Sequence, residues 1–188
     1  LDNWNVLGLD NFHPYYDKEL KLKNLANFKD HKNFKFVEGS ILDLDLLKTF
    51  SNVDTVFHLA AIAGVRNSFN NPQEYFDINV KGTENILKTF QNIDELVFAS
   101  SSSVYGELKQ NEFPVKETHS LNPISPYGES KKQSELLCEH YSKSSKIRTS
   151  ILRFYTVYGP RQRPDEAIMK FLNLSISGSI YIGYGLGQ

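Results

Sequence analysis

Cysteine, methionine and tryptophan each occur once in the 188 residues. A single thiol, Cys138, excludes an internal disulfide, and with no cluster of histidines or cysteines around it, it excludes a thiolate metal site. It stands beside Glu135, Leu136 and Leu137 in a helical pattern and reads as a buried bystander in a reducing, cytoplasmic setting. No apolar run approaches the ~20 residues that a membrane span needs, and no signal-peptide pattern is present. An excess of charge is missing too: 21 Lys and Arg stand against 22 Asp and Glu, for a net charge of -1. That balance carries no electrostatic footprint of a nucleic-acid or anionic-membrane partner. An initiating methionine is also lacking, which suggests a missing start.

What remains is 40% hydrophobic and 23% charged, the balance of a globular protein. Trp4 to Asp10 reads as a short buried strand ending in an acid, and Tyr15 to Asp30 has apolar residues at helical spacing. Strand patterns follow at 34–39, 55–61, 95–100 and 149–154. Helical patterns lie between them, at 44–50, Asn71 to Phe90 with Pro72 in its first turn, and Ser125 to Ser142 with Pro126. A weaker helix spans Glu166 to Ser175, and a short apolar strand spans Ser179 to Ile182. Near-continuous apolar strands alternating with helices predict a parallel sheet covered on both faces, with ligands at the carboxyl ends of the strands. Asp10, Ser40, Ala60, Ala61, Ser101 and Tyr155 all fall at such ends.

The chemistry-bearing pattern is Ser101 with Tyr127 and Lys131. Tyr and Lys four apart share one helix face. A nearby ammonium favours the phenolate and lowers a tyrosine pKa from its usual ~10. Such a tyrosine can take a proton from a sugar hydroxyl and return it, and a serine at a neighbouring strand end could hold the same oxygen. The pair Tyr-x-x-x-Lys alone is also compatible with a solvated surface pair. Asp10 could be a turn residue, Ala60–Ala61 plain close packing, Asn79 a helix-internal packing residue, and His58 a satisfied core histidine.

Phe98-Ala-Ser-Ser-Ser-Ser-Val-Tyr-Gly106, Pro126-Tyr-Gly-Glu-Ser-Lys131 and Leu152-Arg-Phe-Tyr-Thr-Val-Tyr-Gly-Pro160 resemble three ordered signatures of the NAD-dependent epimerase/dehydratase family, the extended short-chain dehydrogenase/reductases. Val56-Phe-His-Leu-Ala-Ala61 and Asn79-Val-Lys-Gly-Thr83 add two more, collinear over nearly the whole chain. The resemblance implies a Rossmann-like doubly wound parallel sheet, with residues 1–155 as a partial NAD-binding domain and 156–188 as the beginning of a substrate-binding region. It implies Ser101, Tyr127 and Lys131 as catalytic residues, with Lys131 also on the nicotinamide ribose. Cofactor positions are Asp10, Asn11, Ser40, Ile41, Leu59, Ala60, Ala61, Asn79, Tyr127, Lys131 and Tyr155. Asp10, meeting the ribose hydroxyls, favours NAD over NADP. Substrate positions are Ser101, Ser102, Tyr127, Thr156 and Arg163, with Arg66 a further candidate for an anion. No metal is implied. Homodimerisation through the helices at 71–90 and 125–142 is an implication of the same resemblance.

Two departures stand out. Ser40 replaces a usual acid near the adenine, and the first strand with its Gly-rich, pyrophosphate-cradling turn is absent, as are the last substrate segments after Gly185. The expectation is therefore an incomplete sheet with strand neighbours unpaired. Ser102 and Ser103 stand where dehydratases carry acids, which favours 4-epimerisation of a UDP-hexose or UDP-hexuronate through a transient 4-keto sugar. Thr156 and Arg161-Gln-Arg-Pro-Asp165 resemble UDP-glucuronate and related UDP-glucose 4-epimerases. The alternatives are a dehydratase or reductase of the same family, or a truncated non-catalytic fragment.

Overall fold

A computed structural model describes residues 3–50 and 52–178. The chain divides into two units, residues 6–11 with 35–155, and residues 3–5, 12–34 and 156–178.

The larger unit holds the strands β1 (Val6–Asp10), β2 (Phe34–Glu38, whose first residue falls in the smaller unit), β3 (Thr55–His58), β4 (Glu95–Ser101) and β5 (Arg148–Phe154). They form two sheets, β1–β2 and β3–β4–β5, the second parallel throughout, with His58 opposite Phe98 and Phe98 opposite Ile151. No ladder joins β1 to β3 among the described residues. An incomplete sheet of this kind is what the sequence led us to expect.

Helix α2 (Leu44–Lys48) starts on Asp43, whose carboxylate accepts from Leu46 N at 3.0 Å. A short α3 (Val65–Ser68) precedes one continuous helical run: α4 (Pro72–Tyr75), a π-helical turn (Phe76–Lys81) and α5 (Gly82–Thr89). Helix α6 (Pro126–Ser144) is the longest element. Ser125 caps it by accepting from Gly128 N at 3.0 Å, and Pro126 occupies the first turn, where its missing N–H costs nothing.

Connections from β3 through α5 to β4, and from β4 through α6 to β5, run the same way along the sheet. Right-handed crossovers therefore put both helices on one face. There Ile86, Leu87, Phe90, Leu96, Phe98 and Cys138 form the core. On the opposite face Phe57, Leu152 and Phe154 are exposed, Val97 and Ala99 are half buried, and Ser101 is buried. Two differences concern the strands. Trp4 lies before the β1 ladder and is exposed rather than buried, and the pattern at 55–61 is strand only to His58, after which the chain turns away as a loop.

The smaller unit contains α1 (Lys18–Leu25), capped by Asp17, and α7 (Ala167–Ile176). Tyr15 Oη donates to Asp165 at 3.3 Å within it. The expected strand from Ser179 to Ile182 lies outside the described residues.

Candidate active site

The carboxyl end of β4 runs directly into a 3-10 turn, Ser102–Val104. Ser101 is the hinge: its Oγ accepts from Ser103 N at 3.2 Å and lies 3.2 Å from Ser103 Oγ. Val104 and Tyr105 are buried, and Gly106 closes the turn at φ +77°, where a Cβ would strike the Asn122 carbonyl.

Gly128 brings the start of α6 against this turn. A Cβ there would lie 2.6 Å from the Ser103 carbonyl oxygen and 3.0 Å from Pro123 Cβ, so only glycine permits the approach. The neighbouring Tyr127 is half buried, its ring edge-on to that of Tyr75 at 6.2 Å. Tyr75 is anchored in turn by its hydroxyl, which lies within bonding distance of the Ala63 and Gly64 carbonyls.

One turn further, Lys131 is buried. Its Nζ donates to the Ala99 carbonyl at 2.8 Å and lies 4.9 Å from the Phe98 ring centroid. Burial pushes its pKa down to about 8, against the opposing pull of Cys138 and Glu135, so it stays largely protonated at neutral pH. Burial also pushes the Cys138 thiol up to about 12, leaving it an unreactive filler, as its sequence context suggested.

Behind these residues lies a polar layer. Asn79, in the π-helical turn, donates to the Ile62 carbonyl at 3.0 Å and to Ser130 Oγ at 2.9 Å, and accepts from Ile62 N at 2.8 Å. It thus joins the loop after β3 to α6. Its own carbonyl accepts from Thr83 and Ser134 hydroxyls at 2.6 and 2.9 Å. Because Thr83 spends its hydrogen there, His58 Nε2, 2.8 Å from the same hydroxyl, is the donor. Burial first, and Lys131 second, push His58 down to about 3, so it is a neutral, satisfied core histidine.

The remaining sequence-derived positions fall as follows. Asp10 is exposed at the end of β1, where its carbonyl accepts from Gly39 N at 3.0 Å, and Asn11 follows it. Ser40 Oγ accepts from Leu42 N at 3.1 Å. Ile41 is buried, its carbonyl accepting from Asn85 Nδ2 at 3.0 Å. Leu59 is exposed, while Ala60 and Ala61 are half buried at the exit of β3. Ser102 is half buried beside Ser101, and Tyr155 is exposed beyond the end of β5. Thr156 and Arg163 belong to the smaller unit. There Arg163 is held by Asp165 at 3.0 Å and Glu166 at 2.7 Å, with its guanidinium 5.1 Å from the Tyr15 ring centroid. Among the described residues no group of His, Cys, Asp and Glu could hold a metal ion, and no helix is long and apolar enough to cross a membrane.

Sequence reasoning missed the residues that tie α6 to the sheet. Glu135 is buried, pairs with Arg153 at 2.8 Å and accepts from Ser100 Oγ. The available signal was an acid at the i+4 position from Lys131 on an otherwise buried helix face.

Comparison with known proteins gives the family. The family model described as NAD dependent epimerase/dehydratase family matches residues 2–179. An uncharacterized UDP-glucose epimerase of Bacillus subtilis is 43% identical over 98% of this chain and 58% of its own length. A UDP-glucuronate 4-epimerase of Thermodesulfobacterium geofontis is 40% identical over 89% of this chain and 53% of its own. Among solved structures, a UDP-glucuronic acid 4-epimerase of Bacillus cereus, in complex with UDP-glucuronic acid and NAD, superposes with a TM-score of 0.88 at 36% identity. That match covers 95% of this chain and 57% of the solved one. The chain thus spans little more than half the length of these relatives, and over that span it belongs to the NAD-dependent epimerase/dehydratase family.

Proposed function

We propose that this chain carries the acid–base and ribose-binding part of an NAD-dependent 4-epimerase of UDP-sugars, with UDP-glucuronate as the favoured substrate. The observation that carries the reading is the close approach of α6, the helix of Tyr127 and Lys131, to the turn that follows Ser101, at the glycine-only contact of Gly128 and through the Lys131 bond to the Ala99 carbonyl. The named activities of the relatives and the structural likeness to an epimerase support it.

The donor set suits NAD. Asp10 offers an exposed carboxylate at a strand end, fit to accept two ribose hydroxyls and to repel a 2'-phosphate. Asn11 flanks it, Ser40 and Ile41 line the adenine side, and the small Ala60 and Ala61 with Leu59 and Tyr155 border the path to the nicotinamide. Asn79 acts on this path through Ile62 rather than through the cofactor itself. NAD, when bound, supplies a reversible hydride acceptor for the C4 carbon.

Tyr127 Oη takes the proton from the C4 hydroxyl, holds it while C4 is planar, and returns it once the sugar presents its other face. Ser101 Oγ hydrogen-bonds the same sugar oxygen. Lys131, cationic at neutral pH, favours the phenolate and holds the nicotinamide ribose. Ser102 lines the sugar, and with Ser103 it offers no acid to expel a neighbouring hydroxyl, which separates this site from a dehydratase. Thr156 and Arg163 belong to residues 156–188, read as the beginning of the substrate region that follows an NAD-binding domain at 1–155. A cytoplasmic location and a homodimer through the helical run at 72–89 and α6 complete the reading.

Proton NMR of UDP-glucuronate and UDP-glucose incubated with the protein and NAD tests it. The expected product is the C4 epimer of UDP-glucuronate. A 4-keto-6-deoxy sugar, net NADH accumulation or unchanged substrate would overturn it. Tyr127→Phe lowers turnover at least ~10³-fold and leaves NAD binding within about twofold, because the phenolic oxygen serves the proton and not the cofactor's phosphates.

A further inference from the structure

Glu135 lies one helical turn beyond Lys131 on the buried face of α6 and is 1% exposed. Two of its neighbours come from other elements. Ser100, next to Ser101 on β4, donates its hydroxyl to Glu135 Oε1. Arg153, the penultimate residue of β5, grips both carboxylate oxygens: Nε is 3.0 Å from Oε1 and Nη2 is 2.8 Å from Oε2. The other arm of the guanidinium, Nη1, donates to Tyr105 Oη at 3.1 Å and to the Glu117 carbonyl at 2.8 Å. Arg153 also lies 5.1 Å from the Tyr105 ring centroid. One carboxylate therefore joins α6, β4, β5 and the loop that follows the serine-rich turn.

A buried ion pair is seldom retained for stability alone, since its desolvation offsets most of its attraction and apolar residues of similar volume can replace it. We propose that Glu135 and Arg153 are positioning residues for the reaction: the pair locks Ser101 and Lys131 into one frame and sets a buried negative charge one turn from the Lys131 ammonium. This rests on the roles assigned to Ser101 and Lys131 above.

The electrostatic part follows from what faces Lys131. Cys138 and Glu135 come from its own helix, on which Tyr127 stands one turn before it, His58 from β3, and the Phe98 ring and Ala99 carbonyl from β4. His58 is neutral and Cys138 protonated between pH 7 and 9. Glu135 is thus the anion that opposes the burial of Lys131, while Arg153 holds Glu135 in place and is itself pushed further up, first by its bond to Glu135.

The test is a side-chain NMR titration of the cofactor-free protein labelled at lysine Cε, with Lys131→Arg assigning the signal. Wild type should show one lysine titrating near pH 8. Glu135→Gln should raise the proton dissociation constant of Lys131 at least ~10-fold, the scale of one lost close charge interaction. The paired replacement Glu135→Leu with Arg153→Met keeps an apolar core and should move it in the same direction. In the epimerase assay both variants should lower kcat more at pH 8.5 than at 6.5, with KM within about twofold. A Lys131 midpoint unmoved in folded variants, or loss of fold in both, would assign the pair to stability alone and overturn the proposal. Absence of turnover in wild type would count against the epimerase reading only, because the titration decides this one without substrate.

Discussion

The two faces of the β3–β4–β5 sheet are both apolar in sequence and differ completely in surroundings. One face presents His58, Leu96, Phe98, Ser100 and Ile151 to α5 and α6, and there His58 and Ser100 make buried polar bonds to those helices. The other presents Phe57, Leu152 and Phe154, which are 67%, 40% and 43% exposed. The pleat makes the two sets strict alternates along each strand. The difference teaches that hydrophobicity along a strand reports what could be covered, while the handedness of the crossovers decides which side these helices cover.

Substitutions on the two sides should separate by an order of magnitude. Phe98→Ala removes a ring that is 1% exposed, touches His58 at 5.4 Å between centroids and supports the Lys131 ammonium. Its expected cost is about 3–5 kcal/mol in denaturant unfolding. A loss below about 1 kcal/mol would mean that this face is no better packed than its opposite.

His58 gives an intermediate effect with a defined sign. Its folded-state pKa, about 3, lies below the unfolded value of 6.5, so the stability of keeping it neutral is fully present above pH 6.5 and is lost as pH falls toward 3. Between pH 7 and pH 5 its share of the loss should be about 2 kcal/mol. Comparing wild type with His58→Gln isolates that share, because glutamine can still donate to Thr83 but does not titrate. Parallel pH profiles for the two proteins would refute the assignment.

On the bare face, Phe57→Thr should change unfolding free energy by less than about 0.5 kcal/mol, since little area leaves or enters water. It should also reduce the binding of an apolar dye. A cost of several kcal/mol would show that this face is covered in solution.

How much of this could be read beforehand depends on sequence distance. The alternation of strands and helices, the N-caps with Pro72 and Pro126, and the Tyr127–Lys131 spacing are local signals, and each element exists near its expected place. The place of Ser101 at the end of β4 was legible because serines close an apolar strand pattern. His58 was legible as a core histidine because it interrupts an apolar strand. The Glu135–Arg153 pair was not, since its partners are 18 residues apart on different elements and meet only when β5 returns beside α6. The role of Asn79 was half legible. Its burial follows from its place in a helical pattern, but its reach to Ile62 and Ser130 depends on a π-helical turn that no apolar period announces.

That turn also sets where the helical run at 72–89 can change in length. Each residue of an α-helix advances its neighbours by about 100° around the axis. Removing a single residue between Phe76 and Lys81 should restore ordinary α-helical winding and leave Tyr75 on one side and Thr83 and Asn85 on the other near their present partners, because the wider turn holds one extra residue; what it would displace is Asn79 from Ile62 and Ser130. Point substitutions in this segment can be absorbed one contact at a time. A one-codon deletion in the α-helical parts on either side cannot, because no wider turn takes up the change and the two ends of the helix fall about 100° out of phase.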